Sequence, residues 1–386
     1  MKTMEQVLST LLNGAVDMLD IPAELHASAV THYQEVAHWL GEHALISCDI
    51  YPQGSFRLGT VVRPDSGNGE YDIDLVFRLS RRKEDVTQRE LRDEVGRLLR
   101  GYVRWKKQHG GGEGPTGCEL RRRCWTLEYP HHGFHMDVLP SIPDVEYGAS
   151  GILLTDKNLQ RWQHSNPIGY AHWFRGRSTE LQTRLRAAAH ERDVSIDEVP
   201  EWEFRTTLQR VVQVLKWHAM DFFADDPDNR PPSILITTLA AQAYAGETEL
   251  FTAIQRALAG MERFVENRNG VWWVPNPAHE EENFADKWRE YPERRDAFFN
   301  WRSDISSALC DAARLDGAGL PAVAARLERS FGSGPIRRAA QRYGDVMRER
   351  TASGALRMGP TGMLTTGSGL NVRSHTFYGY DSGPGN

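Results

Sequence analysis

Residues 53–79 read QGSFRLGTVVRPDSGNGEYDIDLVFRL, and this stretch decides the fold. It opens with small residues at the start of a helix, passes through a polar loop and ends in a strand carrying two carboxylates. Gly54 and Ser55 can present bare backbone N–H groups and a hydroxyl at the helix N-terminus, which suits a phosphate. Asp72 and Asp74 are two residues apart in a β-branched, apolar run, so both project from one strand face. A phosphate cradle facing paired carboxylates meets the needs of magnesium-dependent nucleotide chemistry. Taken alone, an Asp-Ile-Asp on a strand is equally compatible with a plain exposed face.

Upstream, apolar residues at helical spacing predict helices over residues 3–19 and 24–43, ahead of a short extended piece at 47–51. The helix at 54–60 is expected to end at Arg63-Pro64, and the strand to span 71–79. A helix follows at about 84–107, then the loop HGGGEGPTG. CWTLEYP and GFHMDVLPSI read as two antiparallel strands around a turn at His131–Gly133. Asp137 shares a face with His135 and Leu139 and is a third strand carboxylate. From Pro200 the pattern is helical to about 350, in segments 201–224, 233–245, 247–265, 283–309, 321–331 and 335–350. The stretch WWVPNPAHEEENFADKW interrupts it, and the end is rich in Gly, Ser and Thr. The expected organisation is therefore N-terminal helices 1–45, a catalytic lobe 46–160, a passage 161–200, a helical lobe 201–350 and a flexible tail 351–386.

A chain of 386 residues with 40% hydrophobic content can bury a core in two lobes. No apolar run approaches the roughly 20 residues that span a bilayer. The acidic N-terminal helix argues against a secretory signal, and four scattered cysteines do not make a disulfide framework. The expectation is a reduced, cytoplasmic protein with no membrane partner. The net charge of −6 argues against a general nucleic-acid coat. Residues 78–125, however, hold 14 Lys/Arg against 7 Asp/Glu. That region can receive nucleotide phosphates or a nucleic-acid activator, or can be a solvated arginine-rich helix face.

Gly54-Ser55, Asp72/Asp74 and Asp137 together resemble the polymerase-β-like nucleotidyltransferase superfamily. The fuller pattern, QGSFRLGTVVRP, YDIDLVFRL, PPSILITTLAA and NPAHEEENFADKW in that order, resembles the bacterial cGAS/DncV-like nucleotidyltransferases. The resemblance covers about residues 45–305 and implies an α/β (α+β) fold. One lobe would have a mixed sheet, an all-helical C-terminal lobe would resemble oligoadenylate synthases, and the active site would lie in the cleft between them. It further implies a cytoplasmic enzyme that joins nucleoside triphosphates into a cyclic di- or trinucleotide with release of pyrophosphate, in bacterial antiphage signalling (CBASS). ATP is the expected substrate, with GTP, UTP or CTP as further ones, and regulatory or conjugating proteins encoded nearby are the expected partners. The competing readings are a linear oligoadenylate-type synthase, a transferase acting on RNA or a small molecule, and a non-catalytic nucleotide or RNA sensor.

By that resemblance Asp72, Asp74 and Asp137 hold two Mg²⁺ ions, with Mn²⁺ as a substitute, and Asp137 lies nearest the attacking hydroxyl. Gly54 and Ser55 contact the donor's β- and γ-phosphates. Lys216, in the helix FRTTLQRVVQVLKWHAMDFF, reaches the triphosphate or else snorkels from a core helix. Ser233, after two prolines, is an N-cap, to which the resemblance adds a phosphate contact. Gln53 and Arg57 flank the turn, and Arg57 can touch phosphate or pair with a core carboxylate. Glu282, Asn283, Phe284 and Trp288 are expected to pack one lobe on the other. Cys118, Cys124, His131, His132 and His135 lack the spacing of a zinc site. The tail, ending Gly385-Asn386, lacks the terminal small residue of conjugated relatives.

Overall fold

The computed structural model describes residues 3–63, 71–110, 112–155, 161–190, 205–353, 357–358, 364–365 and 370–371. The loop between Arg63 and Tyr71, residues 191–204 of the expected passage and the terminal SHTFYGYDSGPGN lie outside them.

The two leading helices, α1 (Met4–Asp17) and α2 (Ala23–His43), go to different cores. A reciprocal cap fixes the start of α1: the Thr3 hydroxyl accepts from the Gln6 N–H while the Gln6 side chain accepts from the Thr3 N–H. Helix α1 buries Leu8, Leu11, Leu12 and Val16 among the C-terminal helices, whereas α2 buries Val36 and Leu40 against the sheet.

The sheet is built from β1 (Cys48–Gln53), β2 (Tyr71–Leu79), β3 (Gly117–Leu120), β4 (Trp125–Tyr129), β5 (Phe134–Pro143), β6 (Ile152–Leu154) and β7 (Gln163–Ser165). Its order is β1-β2-β5-β4-β3, with β6 added to β5 and β7 to β6. Only β2 and β5 pair in parallel, so the sheet is mixed. A parallel pair needs a long crossover. Helix α4 (Gln88–His109) and the β3–β4 hairpin supply it. Ile73, Leu75 and Phe77 of β2 pack with α2 and α4, while Asp72 and Asp74 take the opposite pleat. Inserting β5 beside β2 sets Asp137 directly opposite Asp74.

Between β1 and β2 lies α3 (Gly54–Leu58), shorter than expected. It stops because Gly59 adopts the left-handed conformation (φ 66°), a C-terminal cap that acts before Arg63-Pro64 can.

The C-terminal part comprises α5 (Pro167–His190), α6 (Thr207–Phe222), α7 (Ser233–Ala243), α8 (Leu250–Gly260), α9 (Pro292–Ala313), α10 (Leu320–Phe331) and α11 (Ser333–Ala352). It is helical but carries two small hairpins, β8 (Glu266–Arg268) with β9 (Val271–Trp273) and β10 (Pro275–Asn276) with β11 (His279–Asn283). The helix expected from 283 begins only at Pro292, a residue preset for the first helical turn. The tail, expected to lack regular structure, contributes three short strands that pair with one another, β12 (Arg357–Met358), β13 (Leu364–Thr365) and β14 (Leu370–Asn371).

One helix face joins the two parts. On α6, Gln209, Gln213 and Lys216 lie at i, i+4 and i+7 and so stack on one side. Gln209 donates to the Leu58 carbonyl (2.8 Å), Gln213 to Val61 (2.9 Å) and Lys216 to Thr60 (2.8 Å). Gln213 is fully buried and also donates to Asp20 at 2.7 Å. Asp20 additionally pairs with Arg210 at 3.1 Å. The segment that follows the Gly-Ser turn is thus pinned, carbonyl by carbonyl, to the helix that carries Lys216.

Candidate active site

A cavity of about 390 Å³ opens between the Gly-Ser turn and β2 on one side and α6 and α7 on the other. Gly54, Ser55, Asp72, Asp74, Lys216 and Ser233 all line it. Six residues separated by up to 179 positions are therefore brought to one space. Asp137, Gln53 and Arg57 are not among its lining residues.

Gly54 sits at φ +62°, and its bare α-carbon lets Asp74 come close. A β-carbon there would lie 2.1 Å from Asp74 Oδ2. Asp74 is thereby held against the turn, with Gln53 paired to it across β1 and Asp137 across β5. Burial, then the neighbouring Asp72 and Asp137, pushes the Asp74 carboxyl up to about 7. Asp72 faces the cleft more openly. Its carboxyl is also raised, first by burial in the cleft wall, against the pull of His135, whose Nε2 lies 3.0 Å from Asp72 Oδ1. The Thr126 hydroxyl donates to Asp137 Oδ1 at 2.5 Å, which fixes that carboxylate's direction. Burial brings the Lys216 ammonium down to about 8, opposed by Asp72 and Asp74.

Three neighbouring carboxylates gather at this wall, with Lys216, whose Nζ donates to a backbone carbonyl, and Arg230 and His135 as the cationic groups that act on them. Hard oxygen donors of that kind fit Mg²⁺, which takes its remaining ligands from water and phosphate. The three aspartates do not cage one ion. Among the described residues, the one set of Asp, Glu, His or Cys side chains whose ligand atoms all lie within 4.8 Å of one another is Asp144, His164 and His279, outside this cleft.

Two residues expected at the phosphates sit differently. Arg57 turns away: its Nη1 donates to the Pro52 carbonyl (3.1 Å) and its guanidinium lies 6.0 Å from the centre of the Tyr51 ring. Among the described residues it pairs with no carboxylate, and it braces the turn from behind, because the five-residue α3 points it back along β1. Gln53 ends β1 and precedes α3 without capping it by its side chain. Ser233 is not the N-cap of α7 either. Pro232 takes that position and Ser233 is the first helical residue, which leaves its hydroxyl exposed at the cavity.

Among the described residues, Cys118, Cys124, His131, His132 and His135 form no group of converging metal-ligand atoms. Burial raises the Cys118 thiol to about 11 and, with Asp137 next in importance, the Cys124 thiol to about 12, so neither offers a thiolate. Glu282 reaches Ser165 of the sheet, whereas Asn283 braces its own segment. Asn283 accepts from the Val274 and Ala285 N–H groups and donates to the Trp272 carbonyl, each at 2.9 Å. Burial raises Glu282 to about 7, with Asn276 and Ser165 of β7 bonded to it.

The family described as Cyclic GMP-AMP synthase DncV-like, nucleotidyltransferase domain, matches residues 48–140. That span runs from the start of β1 through all three aspartates. A curated c-di-GMP synthase of Roseivirga ehrenbergii is 28% identical over 365 residues, 90% of this chain and 91% of the relative. Residues 48–140 thus carry the DncV-like nucleotidyltransferase domain pattern. The chain's architecture matches that of the Bradyrhizobium diazoefficiens CdnG solved with GTP, with a TM-score of 0.67 at 20% identity over 88% of this chain and 99% of that one. It also matches the E. coli MS115-1 CdnC in its HORMA complex, at a TM-score of 0.59 and 17% identity over 84% of this chain and 96% of that one.

Sequence reasoning missed several groups around this nucleotidyltransferase's cleft. Arg230 lines the cavity and acts on both Asp72 and Lys216. Its only sequence signal is a basic residue just before the Pro231-Pro232 start of α7. Thr60, His135 and Thr126 carry no motif and become visible only through the atoms they hold. Among the described residues no helix is long and apolar enough to cross a membrane.

Proposed function

We propose that the chain joins two nucleoside triphosphates into a cyclic dinucleotide, releasing pyrophosphate at each of two successive transfers. The observation that carries this reading is Asp74, wedged against Gly54, opposite Asp137, and facing Lys216 and Arg230 across a nucleotide-sized cavity. Asp72, Asp74 and Asp137 would hold the two Mg²⁺ ions, which when bound lower the pKa of the attacking hydroxyl and neutralise the leaving pyrophosphate. Gly54 and Ser55 would offer backbone N–H groups and a hydroxyl to the β- and γ-phosphates, with Lys216 and Arg230 as the opposing cationic wall. Thr126 holds Asp137 in the direction from which it would orient a ribose hydroxyl for in-line attack on the α-phosphorus. The pinned carbonyls of Leu58, Thr60 and Val61 keep the two walls in register.

GTP is the favoured substrate, because the relative covering nine-tenths of the chain is a c-di-GMP synthase. Signalling in antiphage defence, with a HORMA-type regulator as partner, belongs to the same reading and is supported by the likeness to CdnC. Incubation with labelled GTP, alone and with each other triphosphate, in Mg²⁺ tests it by mass spectrometry after phosphatase treatment. A phosphatase-resistant dinucleotide is expected. A larger ring or a phosphatase-sensitive linear product would replace this reading with the trinucleotide or linear synthase, and no pyrophosphate release would sink it.

Lys216→Met is expected to raise the KM for the triphosphate about 10- to 100-fold, the size of a lost charge-assisted contact, with a smaller fall in kcat. With the wild-type lysine titrating near 8, the wild-type KM should climb as pH passes 8 and the charge is lost. The variant's KM should show no such step. A step of the same size in both would remove Lys216 from the phosphate site.

A further inference from the structure

Seven residues beyond Asp137 along β5, roughly 23 Å away at about 3.3 Å per strand residue, the chain reaches Asp144. It meets two histidines there. His164 of β7 places Nδ1 2.6 Å from Asp144 Oδ2, and His279, the first residue of β11, places Nε2 3.7 Å from the same oxygen. One ligand atom from each residue lies within 4.8 Å of the other two. The cluster is internal: the side chains of Asp144 and His279 are 2% and 0% exposed. Among the described residues, neither ring nitrogen of His279 has a hydrogen-bond partner. A fully buried imidazole with two unbonded nitrogens is costly unless something occupies one of them.

We propose that Asp144, His164 and His279 bind a structural divalent transition ion of the zinc type, which clamps the sheet to the β10–β11 hairpin. Two imidazoles and a carboxylate select zinc or its first-row neighbours over the oxygen-loving Mg²⁺ of the cleft. Bringing the donors to about 2.0–2.2 Å from a common centre requires the His164–Asp144 hydrogen bond to open and His279 Nε2 to close in. His164 is one-third exposed and gives water and the ion a way in. Tyr147 covers the opposite side, its ring 4.1 Å from that of His279 and 5.2 Å from that of His164.

The location gives the ion its purpose. Around the cluster, Asn166 donates to the Ala278 carbonyl at 3.1 Å, and Ser165 bonds Glu282. These are contacts from β7 and the start of α5 to the NPAHEEEN segment. An ion bridging positions 144, 164 and 279 would join the same elements with stronger bonds and would set how the two walls of the cleft meet.

The test uses the full chain without a histidine tag, carrying Asp72→Asn and Asp74→Asn so that the cleft does not retain metal. After chelation and dialysis against ZnCl₂, elemental analysis is expected to find one retained zinc per chain. Co²⁺ loading is expected to give the intense visible bands of a four-coordinate N/O site. His279→Gln should lower retention about 100-fold or more, and so should His164→Gln, whose partly exposed side chain makes it the safer variant to fold. Zinc should raise the melting temperature of the parent by several degrees and leave that of His164→Gln unchanged. Absence of retained metal in the parent, or retention in both histidine variants equal to the parent's, overturns the proposal. Because every arm lacks the cleft aspartates, none of these results depends on nucleotidyl transfer.

Discussion

Asp74→Asn is expected to reduce product formation by at least roughly 100- to 1,000-fold and yet to stabilise the metal-free protein at pH 8. The carboxyl titrates near 7 in the fold and near 3.8 when unperturbed. Between those values the folded state holds a proton that the unfolded chain has released. Stability contributed by this group therefore falls as pH climbs from about 4 to 7, and the penalty is complete above that. Three pH units correspond to about 4 kcal/mol, and since the side chain touches cavity water we halve this to about 2 kcal/mol. Asparagine keeps the shape without the charge and escapes the penalty. At pH 3 the carboxyl is protonated in both the folded and the unfolded wild type, so the two proteins should unfold alike. Urea unfolding in chelator at both pH values measures the gap, and saturating Mg²⁺ should reverse it by stabilising only the wild type. A variant less stable than wild type at pH 8 in chelator would mean that Asp74 is not a charge strained against Asp72 and Asp137.

That strain was half legible in the sequence. Alternation along YDIDLVFRL places Asp72 and Asp74 on one pleat because period two survives any tertiary arrangement. That Asp137 faces Asp74 depends on β5 inserting between β2 and β4, and pairing order is not written in spacing. Helical periodicity found α6 and put Lys216 on it, but the carbonyls it and its neighbours grip belong to a loop 150 residues away. Arg57 is ambiguous for a related reason: residue type allows a phosphate or a core carboxylate, and only the short α3 shows that the side chain folds back to Pro52. The β11 hairpin strand escaped notice because HEEEN lacks an apolar alternation. The Asp144, His164 and His279 cluster escaped because its ligands come from three elements with no short spacing between them. Local chemistry was readable; convergence was not.

Convergence is also what makes Gly54 the most sensitive position in the turn. Gly54→Ala should lower kcat/KM by about 100-fold, the effect of displacing a reacting group by about 1 Å. The new β-carbon would stand 2.1 Å from Asp74 Oδ2 and 3.0 Å from its Cγ, distances no packed side chain tolerates. Either Asp74 swings off its position opposite Asp137, or the turn lifts and carries Ser55 with it. The left-handed backbone at φ +62° adds about 1–2 kcal/mol of strain for any residue but glycine. Gly133, in the β4–β5 turn, separates the two effects. Its φ is +67°, but a β-carbon there meets nothing within 4 Å. Gly133→Ala should therefore lose a comparable 1–2 kcal/mol of stability and keep near-normal turnover. Stability from urea unfolding and turnover on the same preparations distinguish the cases. If both variants lose activity in proportion to their stability, the close approach of Asp74 to the turn is only a matter of folding. If Gly54→Ala alone loses turnover, the missing β-carbon is what lets the carboxylate and the phosphate cradle share one site.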